Sequence, residues 1–434
     1  MYYLLHFLYH SHRYAVARPP TASPHMRRWT PTSQQEVKAY FGLRLLMGMV
    51  RLPSFRDYWS TDPGFRQTFM TEVMTRDRFD QLTTHLHFAH LEEGAPLPKD
   101  RMWKLRPVVD ALNDSFRTIF VLGQDITVNK SLWKFHGRLA FRTYNPTKRA
   151  RFGLKVYKLS TSTGPAAGYT SCFKVYTGQD RGDMPSSTKA VFHLMEYDSF
   201  LDKGYQLFVD NWYTSPTLFH LLQSRKTNAV GTAQLNRKFM PKDLCVRRKG
   251  DVDYHSSRTG LLALLWKDNA VVALLSTVHT AAMEGRKPLV VNDYNVGMKG
   301  VNIGDQMASY YPTPRRSKVW YRKIFFNLFD MAIVNAWALH RALGGRGSLK
   351  TFKSVLSREL VGEFRRGADS SRNRTADKRF LRQWQHWVSE LPGGKRRRCR
   401  WCSRQGRRRS THSYCEESNV ALCTYGCFKA WHVE

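Results

Sequence analysis

The stretch Leu207-Phe208-Val209-Asp210-Asn211-Trp212-Tyr213 decides how the centre of this chain folds. Its apolar run suits a short buried strand. A carboxylate follows at the carboxyl end of that run, the edge where α/β sheets gather functional groups. The plainer reading makes Asp210 a cap for the helical stretch through Leu218, Leu221 and Leu222, because aspartate is a favoured helix cap. Upstream, Ile126 and Val128 alternate with polar residues. So do Phe152, Leu154 and Val156, then Tyr169, Ser171, Phe173 and Val175, while Val230 opens a further apolar run. Alternation with period two, bounded by turn residues, predicts strands. The centre is therefore α/β.

The flanks read differently. Val37, Tyr40, Phe41, Leu45 and Met49 recur at helical spacing, with Ser33 and Glu36 as a capping-box pair. Helices are also predicted near Arg76 to Leu86 and Leu105 to Ile119. Trp320 to Leu343 is a long amphipathic helix with Ile324, Phe325, Leu328, Met331, Ala332, Asn335 and Leu339 on one side, closed by Gly344 and Gly345. Leu261 to Trp266 and Ala270 to Ser276 flank Lys267-Asp268-Asn269 as a hairpin. Residues 236–287 are accordingly read as a β-rich insertion. Residues 1–32 are a leader and proline-rich linker, and residues 365–379 a basic linker.

The chain has 434 residues, about two to three domains at about 150 residues each. It carries 69 Lys and Arg against 34 Asp and Glu, a formal excess of 35. Enzymes of small acids or sugars do not need such an excess; the natural partner is a polyanion, nucleic acid first. No apolar stretch approaches 18 residues, so no membrane-spanning helix is expected. Met1 to His10 lacks a cationic start and is not read as a signal peptide.

Five of seven cysteines, Cys399, Cys402, Cys415, Cys423 and Cys427, crowd the last 36 residues. An odd number at one end of a basic chain points to metal rather than disulfides, and to a reducing compartment such as the nucleus. Cys399-x-x-Cys402 and Cys423-x-x-x-Cys427 have zinc-ligand spacing, and His432 follows. Arg396, Arg397, Arg398, Arg407 and Arg408 surround them and suit phosphate neutralisation or nuclear import. Arg138, Lys148, Arg149 and Lys155, interleaved with Phe141, Tyr144 and Phe152, make a second basic set, suited to a groove beside the site. Arg315, Arg316 and Lys318 make a third. His85, His87 and His90 read as core or surface histidines rather than ligands.

Several blocks stand in one order: Ile126-Thr-Val-Asn129-Lys130, Tyr144-Asn-Pro146-Thr-Lys148, Phe152-Gly-Leu-Lys155, Leu207 to Tyr213, Gly300-Val-Asn302-Ile-Gly-Asp305-Gln306, and Arg315-Arg316-Ser-Lys318-Val-Trp320. This set resembles the piggyBac transposase family over about residues 33–432, and within it the transposable-element-derived members, type 4. The resemblance implies a ribonuclease-H-like core in which three aspartates hold two divalent metals for in-line phosphoryl transfer. It implies double-stranded DNA as substrate, cut at TTAA sites through a hairpin intermediate, and a homodimer. It also implies a cross-braced zinc tail that contacts DNA ends.

Carried over by position, the second catalytic aspartate falls on Asp210. The first falls on Asn129, followed by Lys130 where the family has an acid, and the third on Asn302; Asp305 keeps the last acid of that motif. An amide oxygen can ligate Mg²⁺ or Mn²⁺ but brings no charge, so metal binding is expected to be weak or absent. Asp125 is a poor substitute, about 13 Å along a strand from position 129. In the tail, Cys399, Cys402, Cys423 and Cys427 are expected to form one zinc site. A second site built from Cys415 and His432 would lack ligands, though His412 can contribute, because Gln405 and Ser418 stand where the family commonly has ligands.

The resulting expectation is a ribonuclease-H-like core at 123–235 and 288–312, with the insertion at 236–287. A helical dimerisation and DNA-binding domain spans 33–122 and 313–385, and a zinc module 396–434. The leading functional expectation is DNA binding without cleavage. The alternatives are a working cut-and-paste transposase, and a chromatin or protein-interaction module.

Overall fold

A computed structural model describes residues 10, 11, 13, 14 and 29–433, apart from 93, 145–150, 179–182, 198, 314–316, 318, 366–387, 417 and 425. The chain divides into two compact units, residues 1–362 and 363–434.

In the first unit, helix α1 (Gln34–Met49) starts at Ser33, whose hydroxyl accepts the Glu36 N–H at 3.1 Å. The reciprocal half of the capping box is absent: Glu36 instead pairs with Arg78 at 2.7 Å. Helices α2 (Thr68–Val73), α3 (Arg76–Thr84) and α4 (Arg106–Ile119) follow. The sheet then begins with β1 (Asp125–Lys134), β2 (Thr143–Tyr144), β3 (Phe152–Thr161) and β4 (Thr170–Val175). After α5 (Ser186–Tyr197) come β5 (Gln206–Val209), α6 (Pro216–Ser224) and β6 (Asn228–Thr232). Strands β7 (Val252–Ser256), β8 (Leu262–Lys267) and β9 (Val271–Ser276) precede the small hairpin β10 (Met283–Glu284) and β11 (Lys287–Pro288). Helices α7 (Leu289–Gly297), α8 (Gly300–Tyr310), α9 (Trp320–Ala342) and α10 (Leu349–Val361) complete the unit.

The main sheet runs β2-β3-β1-β5-β6-β9-β8-β7, with β4 also paired to β3. Strand β1 is antiparallel to β3 and parallel to β5. Strand β9 pairs directly with β6, so β7 to β9 extend the core sheet. Within residues 236–287, read from sequence as a β-rich insertion, β7 to β9 thus join the main sheet, while β10 and β11 pair as a separate small one; the apolar faces of β8 and β9 join a core with Phe208 and Val230.

Strand β4 would otherwise leave an open edge, an unpaired template that proteins cover. Two helical asparagines close it. Asn113 of α4 donates to the Phe173 carbonyl at 3.1 Å and accepts its N–H at 2.9 Å. Asn335 of α9 does the same for Thr170, at 2.8 Å in both directions. This explains a polar residue on the apolar stripe of α9. The flanking helical segments also meet: Ser357 of α10 donates to the Gly42 carbonyl of α1 at 2.8 Å.

Helix α8 reaches the sheet through glycine. A Cβ on Gly300 would stand 2.5 Å from the Thr161 carbonyl oxygen and 2.6 Å from Thr127 Cγ2.

The second unit holds β12 (Val388–Glu390), β13 (Arg397–Arg398), α11 (Arg400–Arg404), β14 (Ser410–Thr411), β15 (Ser413–Cys415), β16 (Val420–Ala421) and α12 (Cys427–Val433). Strand β12 pairs with β15, so this module reaches back at least to Val388 rather than starting at 396. Most of the leader 1–32 and nearly all of the 365–379 linker lie outside the described residues.

Close packing at Gly300 predicts that Gly300→Ala lowers stability by about 1–3 kcal/mol, as overpacking does. Gly123, with open space around it, should tolerate alanine within about 0.5 kcal/mol. Urea unfolding followed by circular dichroism checks both; equal midpoints would contradict the close approach of α8.

Candidate functional site

Register places the site. Val128 of β1 lies beside Val209 of β5 in parallel pairing, and the next residues on each side are Asn129 and Asp210. Strand β5 ends at Val209. Beyond that point β1 continues beside β3 but no longer beside β5, and the Lys130 and Asp210 side chains stay 28% and 23% exposed. Asp210 does not cap α6; Ser215 does, accepting the Leu218 N–H at 3.2 Å. The Asp210 side chain instead accepts the Trp212 N–H at 2.9 Å, which folds the tip of the turn back over it.

Alternation along β1 sends its residues to two faces. Asn129 and Ser131 face α8. Asn129 is 8% exposed, and its amide donates to the Asn302 side-chain oxygen at 3.4 Å. The Asn129 side-chain oxygen accepts the Lys130 N–H at 2.8 Å. One helical turn beyond Asn302, Asp305 is fully engaged. It accepts from Lys158 Nζ at 2.6 Å and from the Ser131 hydroxyl at 2.6 Å. Lys158 is only 3% exposed. A buried ammonium requires such a partner, and removing one member of a buried pair is costly. Asp305 therefore anchors α8 to β1 and β3.

Lys130 takes the other face. Its ammonium stands 3.4 Å from Asp210 Oδ2 and 5.0 Å from the centre of the Trp212 ring. Lys155 of β3 lies 5.1 Å from the same ring and 4.9 Å from Tyr176. Trp212 in turn stacks on Tyr157 at 5.8 Å. The Tyr213 phenol is held well above its ordinary pKa by burial and, second, by the Asp210 charge, so it stays protonated.

This donor set does not fit the two-metal centre that the sequence resemblance implies. Asn129 and Asn302 are neutral and bonded to each other, and Asp305 is committed to Lys158. Asp210 alone offers a charge, and Lys130 sits against it. A divalent ion about 4 Å from a carboxylate gains about 8 kcal/mol at an effective dielectric of 20. An ammonium at the same distance takes the same amount away at any dielectric. Asp125, at the far end of β1, receives Thr163 Oγ1 at 3.4 Å and takes no part in the site.

The tail does offer a metal site. The sulfurs of Cys399, Cys402, Cys423 and Cys427 lie within 4.8 Å of one another. Tetrahedral zinc with bonds of about 2.3 Å needs sulfurs about 3.8 Å apart. The pair Cys402–Cys427 stands at 3.6 Å. These four can hold a metal. Burial pushes the Cys399 thiol up, but the N–H groups of Cys402 and Cys423 outweigh it and bring it down to about 7. Cys415 and His432 are not in the cluster. His432 Nδ1 meets the Phe428 carbonyl at 2.8 Å, and His412 receives Arg396 at 2.7 Å.

Of the basic candidates, Lys155 lines the site. Arg138 is exposed just after β1, and Arg396, Arg397, Arg398, Arg407 and Arg408 are exposed around the cysteines. Lys148, Arg149, Arg315, Arg316 and Lys318 lie outside the described residues. His85 and His87 are structural: His85 meets the Gln81 carbonyl at 2.8 Å and His87 meets Tyr321 at 2.6 Å. Sequence reasoning missed Lys158 and the part played by Trp212. Lys158 pairs across the ladder with Asn129, and only the register of β1 on β3 reveals that.

Residues 10–337 match the family model described as transposase IS4. The human piggyBac transposable element-derived protein 2 is 27% identical over 333 residues, covering 71% of this chain and 55% of the relative. The human piggyBac transposable element-derived protein 3 is 26% identical over 335 residues, with the same coverage. The chain thus spans about half the length of these curated relatives. A piggyBac transposase, solved by cryo-EM as a synaptic complex with hairpin DNA, superposes with a TM-score of 0.79 at 22% identity, over 99% of this chain and 95% of that one. Among the described residues, no helix is long and apolar enough to cross a membrane. The chain belongs to the transposase IS4 family, as one of its piggyBac members.

Proposed function

We propose that this chain is a type 4 piggyBac-derived protein that binds double-stranded DNA and does not cut it. The observation that carries this reading is the pair of contacts at the old catalytic positions: Asn129 to Asn302 and Lys130 to Asp210. The first removes two carboxylates; the second neutralises the third. Without two metals, neither the attacking nor the leaving oxygen of a phosphoryl transfer is stabilised. The DNA-binding capacity does not depend on those carboxylates. It rests on the formal charge of +35 and the exposed arginines of the tail. In this reading zinc fills the four-cysteine cluster, the chain works as a homodimer on transposon-like ends, and it acts in the nucleus.

Two assays test the reading. A fluorescein-labelled 30-base-pair duplex should bind, and the affinity should fall about a thousandfold between about 50 and 200 mM salt, as for six or more phosphate contacts. Supercoiled plasmid containing TTAA sites should remain intact in Mn²⁺; nicking or linear product would contradict the inactive site. For the tail, metal analysis should find one zinc per chain. Cys402→Ala should abolish it, whereas Cys415→Ala should leave it at one; loss of zinc in the Cys415 variant would redraw the ligand set.

A further inference from the structure

The family-type site attracts metal because it is acidic. Here a cation stands where the family motif has an acid. Lys130 and Lys155 lie on the face that carries Asp210, while Lys158 is paired with Asp305 on the opposite face. An acid at position 130, as the family motif has it, would instead set two carboxylates side by side there. The cations are also held in place. Lys130 and Lys155 lie within 5.1 Å of the Trp212 ring centre, and Lys155 also within 4.9 Å of Tyr176. Aromatic faces attract ammonium groups through the ring quadrupole. Register adds order: Lys130 opposes Tyr157 on β3, and Lys155 is two residues along on the same face. Lys130 remains 28% exposed where the pairing of β1 with β5 has ended.

We infer that Lys130, Lys155 and Trp212 form a phosphodiester-binding site that works without a divalent ion. Lys130 bridges Asp210 and a DNA backbone phosphate, the position a metal would take in an acidic site. The change at position 130 thus converts a metal-dependent contact into a metal-independent one. This inference rests on the DNA-binding reading above and goes further in naming the contact and its charge rule.

The experiment measures binding of a labelled 30-base-pair duplex to the full, zinc-loaded chain in buffer without added divalent ions. The parent should bind equally well, within about twofold, when Mg²⁺ is added. Lys130→Glu should weaken binding about tenfold and reduce the salt slope by about one. Adding Mn²⁺ should restore part of that loss. Lys130→Met should melt with the parent and still lose affinity, which separates lost contact from lost fold. Asn129→Asp with Asn302→Asp should also bind more weakly without metal, because the added charges repel phosphate. If the Lys130 variants bind like the parent while Arg397→Ala with Arg398→Ala binds more weakly, the site is wrong and the DNA-binding reading stands. A parent that needs Mg²⁺ to bind also overturns the site. A parent that binds no duplex at all overturns both.

Discussion

Strand β1 lies between an antiparallel neighbour and a parallel one, and the rest of the site depends on that placement. Because side chains alternate, Asn129 and Ser131 meet α8, while Lys130 turns toward Asp210 and Trp212. Strand β5 stops at Val209, and on that second face the Lys130 and Asp210 side chains remain partly exposed. Helix α8 can lie close enough to reach β1 only because Gly300 leaves space against Thr161. The ion pair of Lys158 with Asp305 then fixes its rotation. The contacts that position α8, through Gly300, Ser131, Lys158 and Asp305, are distinct from the residues at 129, 130 and 302.

Much of this was legible in the sequence. The apolar run ending at Asp210 became β5 with the aspartate just past its end, and the alternation at Ile126 and Val128 became β1. Both are strong local patterns. The hairpin at Asp268 was also readable, since its two apolar runs become β8 and β9. What the pattern could not show was the partner of β9. Pairing of β9 with β6 is a long-range choice, and local alternation carries no information about it. The same holds for Lys158, whose meaning comes from lying opposite Asn129. Nothing in the sequence reading predicted helices α5, α7 and α8.

The tail shows the same division. Cysteine spacing alone selected four ligands, and the four sulfurs gather within 4.8 Å. Spacing alone could not decide the standing of Cys415, because its burial in β15 depends on the pairing with β12 and β16. It packs with Trp401, Leu422 and Trp431 in the small core of the module.

The most direct test of the central claim is calorimetric titration of Mn²⁺ into the zinc-loaded protein. It compares the parent with a triple variant, Asn129→Asp, Lys130→Glu and Asn302→Asp. The account predicts no specific binding by the parent and two ions bound by the variant, because the scaffold is intact and only the charges differ. Two ions bound by the parent at micromolar affinity would contradict it.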